Sequence, residues 1–176
     1  MNSLIIYYSR SGENYVNGDI ISLKEGNTEK IAKLIQKKFK SDMFKVEQKI
    51  PYSNDYSICI EQANDDKRNN HKPELISYLS DINSYDTIFI GYPNYWSDIP
   101  MALYGQLERL NFTGKNIYLF CTHEGSGLGS SLSTITKLCL GAYIGKSFEV
   151  YGHTVNQSLS TVKDKLEKFY RENNLL

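Results

Sequence analysis

A chain of 176 residues, 40% hydrophobic and 23% charged, has the make-up of one ordinary globular domain with a proper core. Twenty basic residues balance twenty acidic ones, which removes the electrostatic case for nucleic acid or an anionic membrane as partner. No apolar run spans a bilayer, MNSLIIYYSR is no signal peptide, and Cys59, Cys121 and Cys139 show no C-x-x-C spacing, so we expect reduced thiols and a cytoplasmic protein.

The chain opens with an apolar, β-prone run, Leu4 to Tyr8, that feeds a small turn, Ser9-Arg10-Ser11-Gly12. A helix over Asn27–Phe39 follows, with Ile31, Leu34, Ile35 and Phe39 on one face. Between them lie the residues Glu13 to Gly26, and excising them in thought leaves SRSGNTEKIA, a compact loop. Met43 to Ile50 predicts a second strand ended by Pro51, and Asp55 to Asn70 a modest helix. Leu75, Leu79 and Ile82 predict a short helix opened by Pro73. Asp86 to Tyr92 is a near-continuous apolar run, as in a central parallel strand, stopped by Pro93.

A helix around Pro100 places Ile99, Leu103, Leu107 and Leu110 on one side, and Lys115 to Cys121 predicts another buried strand. After a glycine-rich loop, Ser130 onward reads as helix through Leu132, Ile135, Leu138 and Cys139, closed by Gly141. Ser147 to Tyr151 predicts a fifth strand, and a last helix spaces Val155, Leu159, Val162, Leu166 and Phe169. Five strands alternating with helices predict a single α/β domain over 1–176, its parallel sheet covered on both faces. Ligands of such sheets bind beyond the carboxyl ends of the strands, which singles out the loops after strands one, three and four.

The first loop gathers Ser9, Ser11, Asn27 and Thr28 around Gly12, with Arg10 as a charge. Small donors at a helix N-terminus suit a single phosphate, but the same residues also read as a helix cap, Asn27 or Thr28 being the cap. A nucleotide triphosphate loop is unsupported, because no Gly-Lys-Ser/Thr ending is present. The second loop, Pro93-Asn94-Tyr95-Trp96-Ser97-Asp98, holds the single tryptophan at the mouth of the central strand. There it either stacks on a flat partner or folds back as an anchor. The third, Thr122-His123-Glu124-Gly125-Ser126-Gly127, offers backbone groups at close range. Its continuation to Ser130 is a weak dinucleotide fingerprint, misplaced after the fourth strand. His123 reads as a solvated loop histidine, and His71 and His153 show no metal-ligand pattern.

Together, Ser9-Arg10-Ser11-Gly12…Asn27-Thr28, Pro93-Asn94-Tyr95-Trp96 and Thr122-His123-Glu124-Gly125-Ser126-Gly127 resemble the flavodoxin-like flavoproteins. More narrowly, the chain resembles a bacterial branch with a GENYVNG insertion, Gly12 to Gly18, ahead of GNTEK. The resemblance implies a three-layer α/β/α sandwich with a five-stranded parallel sheet in order 2-1-3-4-5, and bound flavin mononucleotide (FMN). It implies that Ser9, Arg10, Ser11, Gly12, Asn27 and Thr28 hold the phosphate and that Pro93, Asn94, Tyr95 and Trp96 contact the ring. Thr122, His123, Glu124, Gly125 and Gly127 would line the opposite side.

Asn14 and Tyr15, directly after the phosphate turn, are placed to cover the cofactor. The insertion is alternatively a packing element against the sheet edge or a partner subunit. The implied function is electron carriage between redox partners, a protein or a small-molecule acceptor, with no catalytic side chain. The alternative is an NAD(P)H-dependent quinone or azo-type reductase, a class that often forms homodimers. Fixed negative charge disfavours adding electrons to a flavin, so a formal net charge of zero predicts a less extreme potential than that of a strongly acidic carrier.

Overall fold

A computed structural model describes residues 2–176. Its centre is a parallel sheet in which β1 (Ser3–Tyr7) lies between β4 (Asp42–Lys45) and β5 (Thr87–Pro93), and β5 pairs in turn with β6 (Asn116–His123). The fifth position beside β6 is shared by β7 (Tyr143–Ile144) and β8 (Phe148–Tyr151). This is the expected 2-1-3-4-5 order with its last strand broken in two. At the break a Cβ on Gly145 would fall 2.5 Å from the Tyr118 ring, so the chain crosses that ring where only glycine fits.

The strand residues alternate between two cores. Leu4, Ile6, Ile88 and Ile90 face α3 (Met101–Leu107) and α4 (Ser131–Leu138) through Leu103, Leu107 and Ile135. Ile5, Phe89 and Phe120 face α1 (Asn27–Phe39), α5 (Gly152–Gln157) and α6 (Leu159–Glu172) through Ile31, Ile35, Val155 and Leu166. Burial on both faces is why β1, β5 and β6 read as continuous apolar runs. The remaining helix, α2 (Tyr56–Arg68), starts at Asp55, whose carboxylate accepts from the Ile58 amide at 3.0 Å. Among the described residues no helix is long and apolar enough to cross a membrane.

Three expectations need correction. No helix forms at 73–84. Leu75 and Ile82 are buried there from an irregular chain, and fully buried Gln106 accepts from the Leu79 amide at 2.9 Å and donates to the Leu79 carbonyl at 3.0 Å. One side-chain amide thus replaces the backbone partners a helix would have supplied. The second strand ends at Lys45 rather than Ile50, because the chain leaves β1 to pair with the segment after Pro73. There the Lys49 amide donates to Glu74 O at 2.8 Å and the Ile76 amide to Glu47 O at 2.9 Å. The last helix is two helices, with Ser158 capping the second through the Thr161 amide.

Residues 13–26 are not a loose excursion. They build an antiparallel hairpin, β2 (Gly12–Val16) and β3 (Asp19–Leu23). Its two-residue turn, Asn17-Gly18, has φ of 51° and 98°, the positive pair that suits the right-handed twist of a hairpin.

Candidate functional site

The three loops meet at the carboxyl end of the sheet. At the first, α1 begins after Gly26 without a side-chain cap, and Ser9 Oγ accepts from the Glu29 amide at 3.1 Å. The cap reading of Asn27 and Thr28 is therefore corrected: both lie inside the first turn. A Cβ on Gly26 would fall 2.2 Å from Ser9 Oγ and 2.4 Å from Arg10 O, so the turn Ser9–Gly12 folds onto a helix start that has no room for a side chain. Asn27 Oδ1 is buried and has no partner. Thr28 Oγ1 points inward and shares a 2.9 Å hydrogen bond with Thr122 Oγ1, which ties the first loop to the third.

Arg10 is occupied by the backbone. Its Nε donates to Glu13 O, and Nη2 donates to Ser53 O and Asn54 O, all at 2.8–2.9 Å. It staples the turn to the start of α2, and Asn14 tightens the same turn through Arg10 O and Gly12 O.

The aromatic loop is a tight reversal. Tyr95 and Asp98 exchange backbone hydrogen bonds at 2.8 and 3.1 Å, and Trp96 and Ser97 between them have φ of 52° and 64°. The Trp96 indole N–H donates to Ile60 O of α2 at 2.8 Å, yet the residue stays 48% exposed. The indole is thus anchored at one edge and open at its face. Tyr95 turns its hydroxyl into the protein, where it is buried without a partner, while its ring borders the cleft edge-on to Tyr8. Asn94 joins the second loop to the third by donating to Gly127 O at 2.7 Å. A Cβ on Gly129 would lie 2.3 Å from Ser97 O, so glycine lets these two loops touch.

In the third loop the His123 Nδ1 accepts from the Gly125 amide at 2.9 Å, which leaves Nε2 carrying the ring proton. Burial lowers its pKa below the ordinary histidine value, against the pull of Glu149 and Glu124. It is a half-buried, neutral ring rather than a solvated one. Glu124 accepts from the His153 amide at 2.7 Å and from His153 Nδ1 at 2.8 Å.

Between the loops runs a cleft in two joined parts. One, of about 380 Å³, lies between Asn94–Ser97 and the α2 residues Tyr56, Cys59, Ile60 and Ala63, with Arg10, Asn14 and Ser126 at its rim. The other, of about 240 Å³, is lined by Asn27, Pro93, Thr122, His123, Glu124 and Gly152, with Asn14, Tyr15 and Tyr56 above. Of the sixteen expected binding residues, Arg10, Asn14, Asn27, Pro93, Asn94, Tyr95, Trp96, Thr122, His123 and Glu124 line this cleft. Gly12, Thr28, Gly125 and Gly127 shape the turns behind it. Ser9 and Ser11 border a separate hollow on the far side of the first turn, with Lys45, Lys49 and Tyr52.

Sequence reasoning missed the α2 wall, Ser126, Gly152 and the His153 partnership. The turn-rich stretch Pro51-Tyr52-Ser53-Asn54-Asp55 ahead of α2 was a readable signal for the wall, since a crossover helix there must start near the loop after β1.

Burial raises the pKa of the Cys59 thiol and of the Tyr8, Tyr56 and Tyr95 phenols. The floor of the cleft is therefore uncharged, and Cys59 is a thiol rather than a nucleophilic thiolate. Among the described residues no group of three or more His, Cys, Asp and Glu side chains is arranged to hold a metal. A ligand with one phosphate, a polar chain and a flat ring fits what is present: a helix N-terminus that reaches the cleft at Asn27, an orphaned amide oxygen on that residue, and aromatic walls at Tyr56, Tyr95 and Trp96.

No curated protein matches the sequence. Among solved structures, a Bacteroides uniformis protein assigned as a flavoprotein is 21% identical, with a TM-score of 0.70 over 94% of this chain and 97% of that one. A Lactobacillus acidophilus flavoprotein, solved in complex with FMN, is also 21% identical, with a TM-score of 0.61 over 84% of this chain and 92% of its own. An azoreductase of Bacillus anthracis is 13% identical at a TM-score of 0.53, each chain covered completely. At such identities the likeness establishes the shared fold. The family model described as Flavodoxin matches residues 21–173, from β3 to the end of α6, and the chain belongs to the flavodoxin family.

Proposed function

We propose that this protein binds FMN in the cleft and carries electrons between redox partners. The observation that carries the reading is the convergence of three loops on one cleft that has an unsatisfied amide oxygen at Asn27 and aromatic walls at Tyr56, Tyr95 and Trp96. The first turn of α1, which reaches the cleft at Asn27, would hold the phosphate, where backbone amides and the helix dipole favour an anion, and Ser9–Gly12 would shape that turn through the Ser9 Oγ bond to the Glu29 amide. Arg10 would act on that site through the shape of the turn, because its Nε and Nη2 donors are already engaged by backbone carbonyls. Tyr56, Tyr95 and Trp96 would flank the ring, and His123, Glu124 and Asn94 would meet its polar edge. Bound FMN supplies the redox chemistry, and the protein supplies position, exclusion of water and an uncharged floor. We also propose that the hairpin at 12–23 marks the branch with a GENYVNG insertion.

A second reading, an NAD(P)H-dependent reductase of quinones or azo compounds acting as a homodimer, is favoured by one observation. The Trp96 wall of the cleft is open, the residue being 48% exposed. Steady-state oxidation of NADH and NADPH by the FMN-loaded protein, with a quinone or an azo dye as acceptor, separates the two. A carrier shows almost no turnover, and sustained turnover with either acceptor replaces the carrier reading with the reductase one. The balanced formal charge predicts a moderate flavin potential, and a strongly depressed second reduction step in a potentiometric titration contradicts it.

A further inference from the structure

The hairpin β2–β3 is tied down on both sides of the cleft. On the α2 side, Glu13 Oε2 accepts from the Tyr56 amide at 2.8 Å, and the Tyr15 and Tyr56 rings stack with centroids 6.3 Å apart. On the opposite side the hydrogen-bonded attachment is made by Glu124. Its Oε2 accepts from the Asn17 amide, in the hairpin turn, at 3.3 Å. The same carboxylate accepts from the His153 amide and from Nδ1 of the His153 ring. Glu124 is thus the junction of three elements: the loop after β6, the start of α5 and the hairpin turn.

His153 is itself well held. Its ring lies 5.0 Å from that of Tyr151, which lies 4.7 Å from His123. Gly152 makes the junction sterically feasible, since a Cβ there would fall 2.7 Å from Glu124 Oε1 and 2.6 Å from Asn27 Nδ2. The hairpin buries Val16 and Leu23 but leaves Ile20 and Ile21 exposed, and a two-stranded ribbon is marginal in water, so its turn gains from tertiary attachment. Asn14 and Tyr15 border the cleft between the two attachments, so an anchored hairpin lies across the mouth.

We infer that His153 is a positioning residue: it fixes the Glu124 carboxylate so that it captures the Asn17 amide and holds the β2–β3 hairpin as a roof over the bound cofactor. The roof function rests on the FMN reading above, whereas the latch itself does not. Two hydrogen bonds from His153 hold both carboxylate oxygens in place, which leaves the carboxylate no freedom to rotate away from the turn. A side chain without a donor at 153 keeps only the amide contact. Rotation then releases Asn17, and the hairpin opens from its turn while the Tyr56 side stays attached.

The test uses the full chain and two readouts, hydrogen exchange of the Asn17–Ser22 amides without cofactor and the dissociation rate of FMN. In His153→Ala, hairpin exchange and FMN release are both expected to rise by about tenfold, the size of one lost hydrogen bond to a charged group. His153→Asn places an amide donor near Nδ1 and should return both to within about twofold of wild type. Glu124→Ala should reproduce the loss. Unchanged hairpin exchange in His153→Ala overturns the latch. So does an equal rise in β5 and β6, or failure of His153→Asn to rescue. A loosened hairpin with unchanged FMN release overturns the roof. If wild type binds no FMN, the proposed function and the roof fall together, while cofactor-free exchange still decides the latch.

Discussion

Two irregular stretches on this sheet treat their polar groups in opposite ways. Residues 71–86 lack regular structure over most of their length, yet the Leu79 amide and carbonyl both pair with Gln106, and the segment after Pro73 exchanges backbone bonds with Glu47 and Lys49. The loops around the cleft leave Asn27 Oδ1 and the Tyr95 hydroxyl buried without partners, and hold Trp96 and Ser97 at positive φ. Asn27 lines the cleft, where a ligand would satisfy its amide oxygen, and strained backbone is likewise retained at such sites. Irregular backbone alone marks nothing. Irregular backbone with unmet hydrogen bonds marks a site.

This contrast breaks most sharply at Gln106. Gln106→Leu strands both backbone groups of Leu79 and should cost about 3 kcal/mol of stability. Urea denaturation checks the loss, and FMN affinity under native conditions should be unchanged. Gly26→Ala is the mirror experiment. Its Cβ enters the space held by Ser9 Oγ and Arg10 O, so FMN affinity should fall by about a hundredfold, measured by fluorescence titration. If Gly26→Ala binds FMN normally, the first turn is an ordinary helix start.

Smaller effects sharpen the same division. Trp96→Ala removes a ring anchored only at its edge and should weaken FMN binding by about three- to tenfold by calorimetry, with little loss of stability. The smallest effect is a pH dependence at His123. Its folded-state pKa lies below the unfolded value, so the unfolded chain binds the proton first. The stability of the neutral ring is present above the ordinary histidine pKa and is lost as pH falls below it. Chemical denaturation should show a decline from neutral to mildly acid pH that is shallower in His123→Asn.

The central strands were legible because β1, β5 and β6 are buried on both faces and therefore carry unbroken apolar runs, whereas their order came from the resemblance to the flavodoxin-like flavoproteins. The three loops were legible because small donors, a lone Trp and clustered glycines fall directly after those strands. The helix expected after Pro73 was not, because Leu75, Leu79 and Ile82 fit helical spacing while Gln106, distant in sequence, supplies the partners that hold the chain open. The hairpin carried the Asn-Gly signal at 17–18 between β-prone residues, although cutting it out to see a compact loop hid what it builds. His153 was unreadable, since its role exists only through Glu124, brought beside it by parallel pairing of β6 with β8.

The account stands most directly on one titration: FMN added to the purified, folded chain, followed by visible absorption and by loss of free-flavin fluorescence. It predicts saturable binding of one FMN per chain with a perturbed flavin spectrum, lost in Gly26→Ala and kept in Gln106→Leu. A folded wild-type protein that leaves the flavin spectrum and fluorescence unchanged contradicts it.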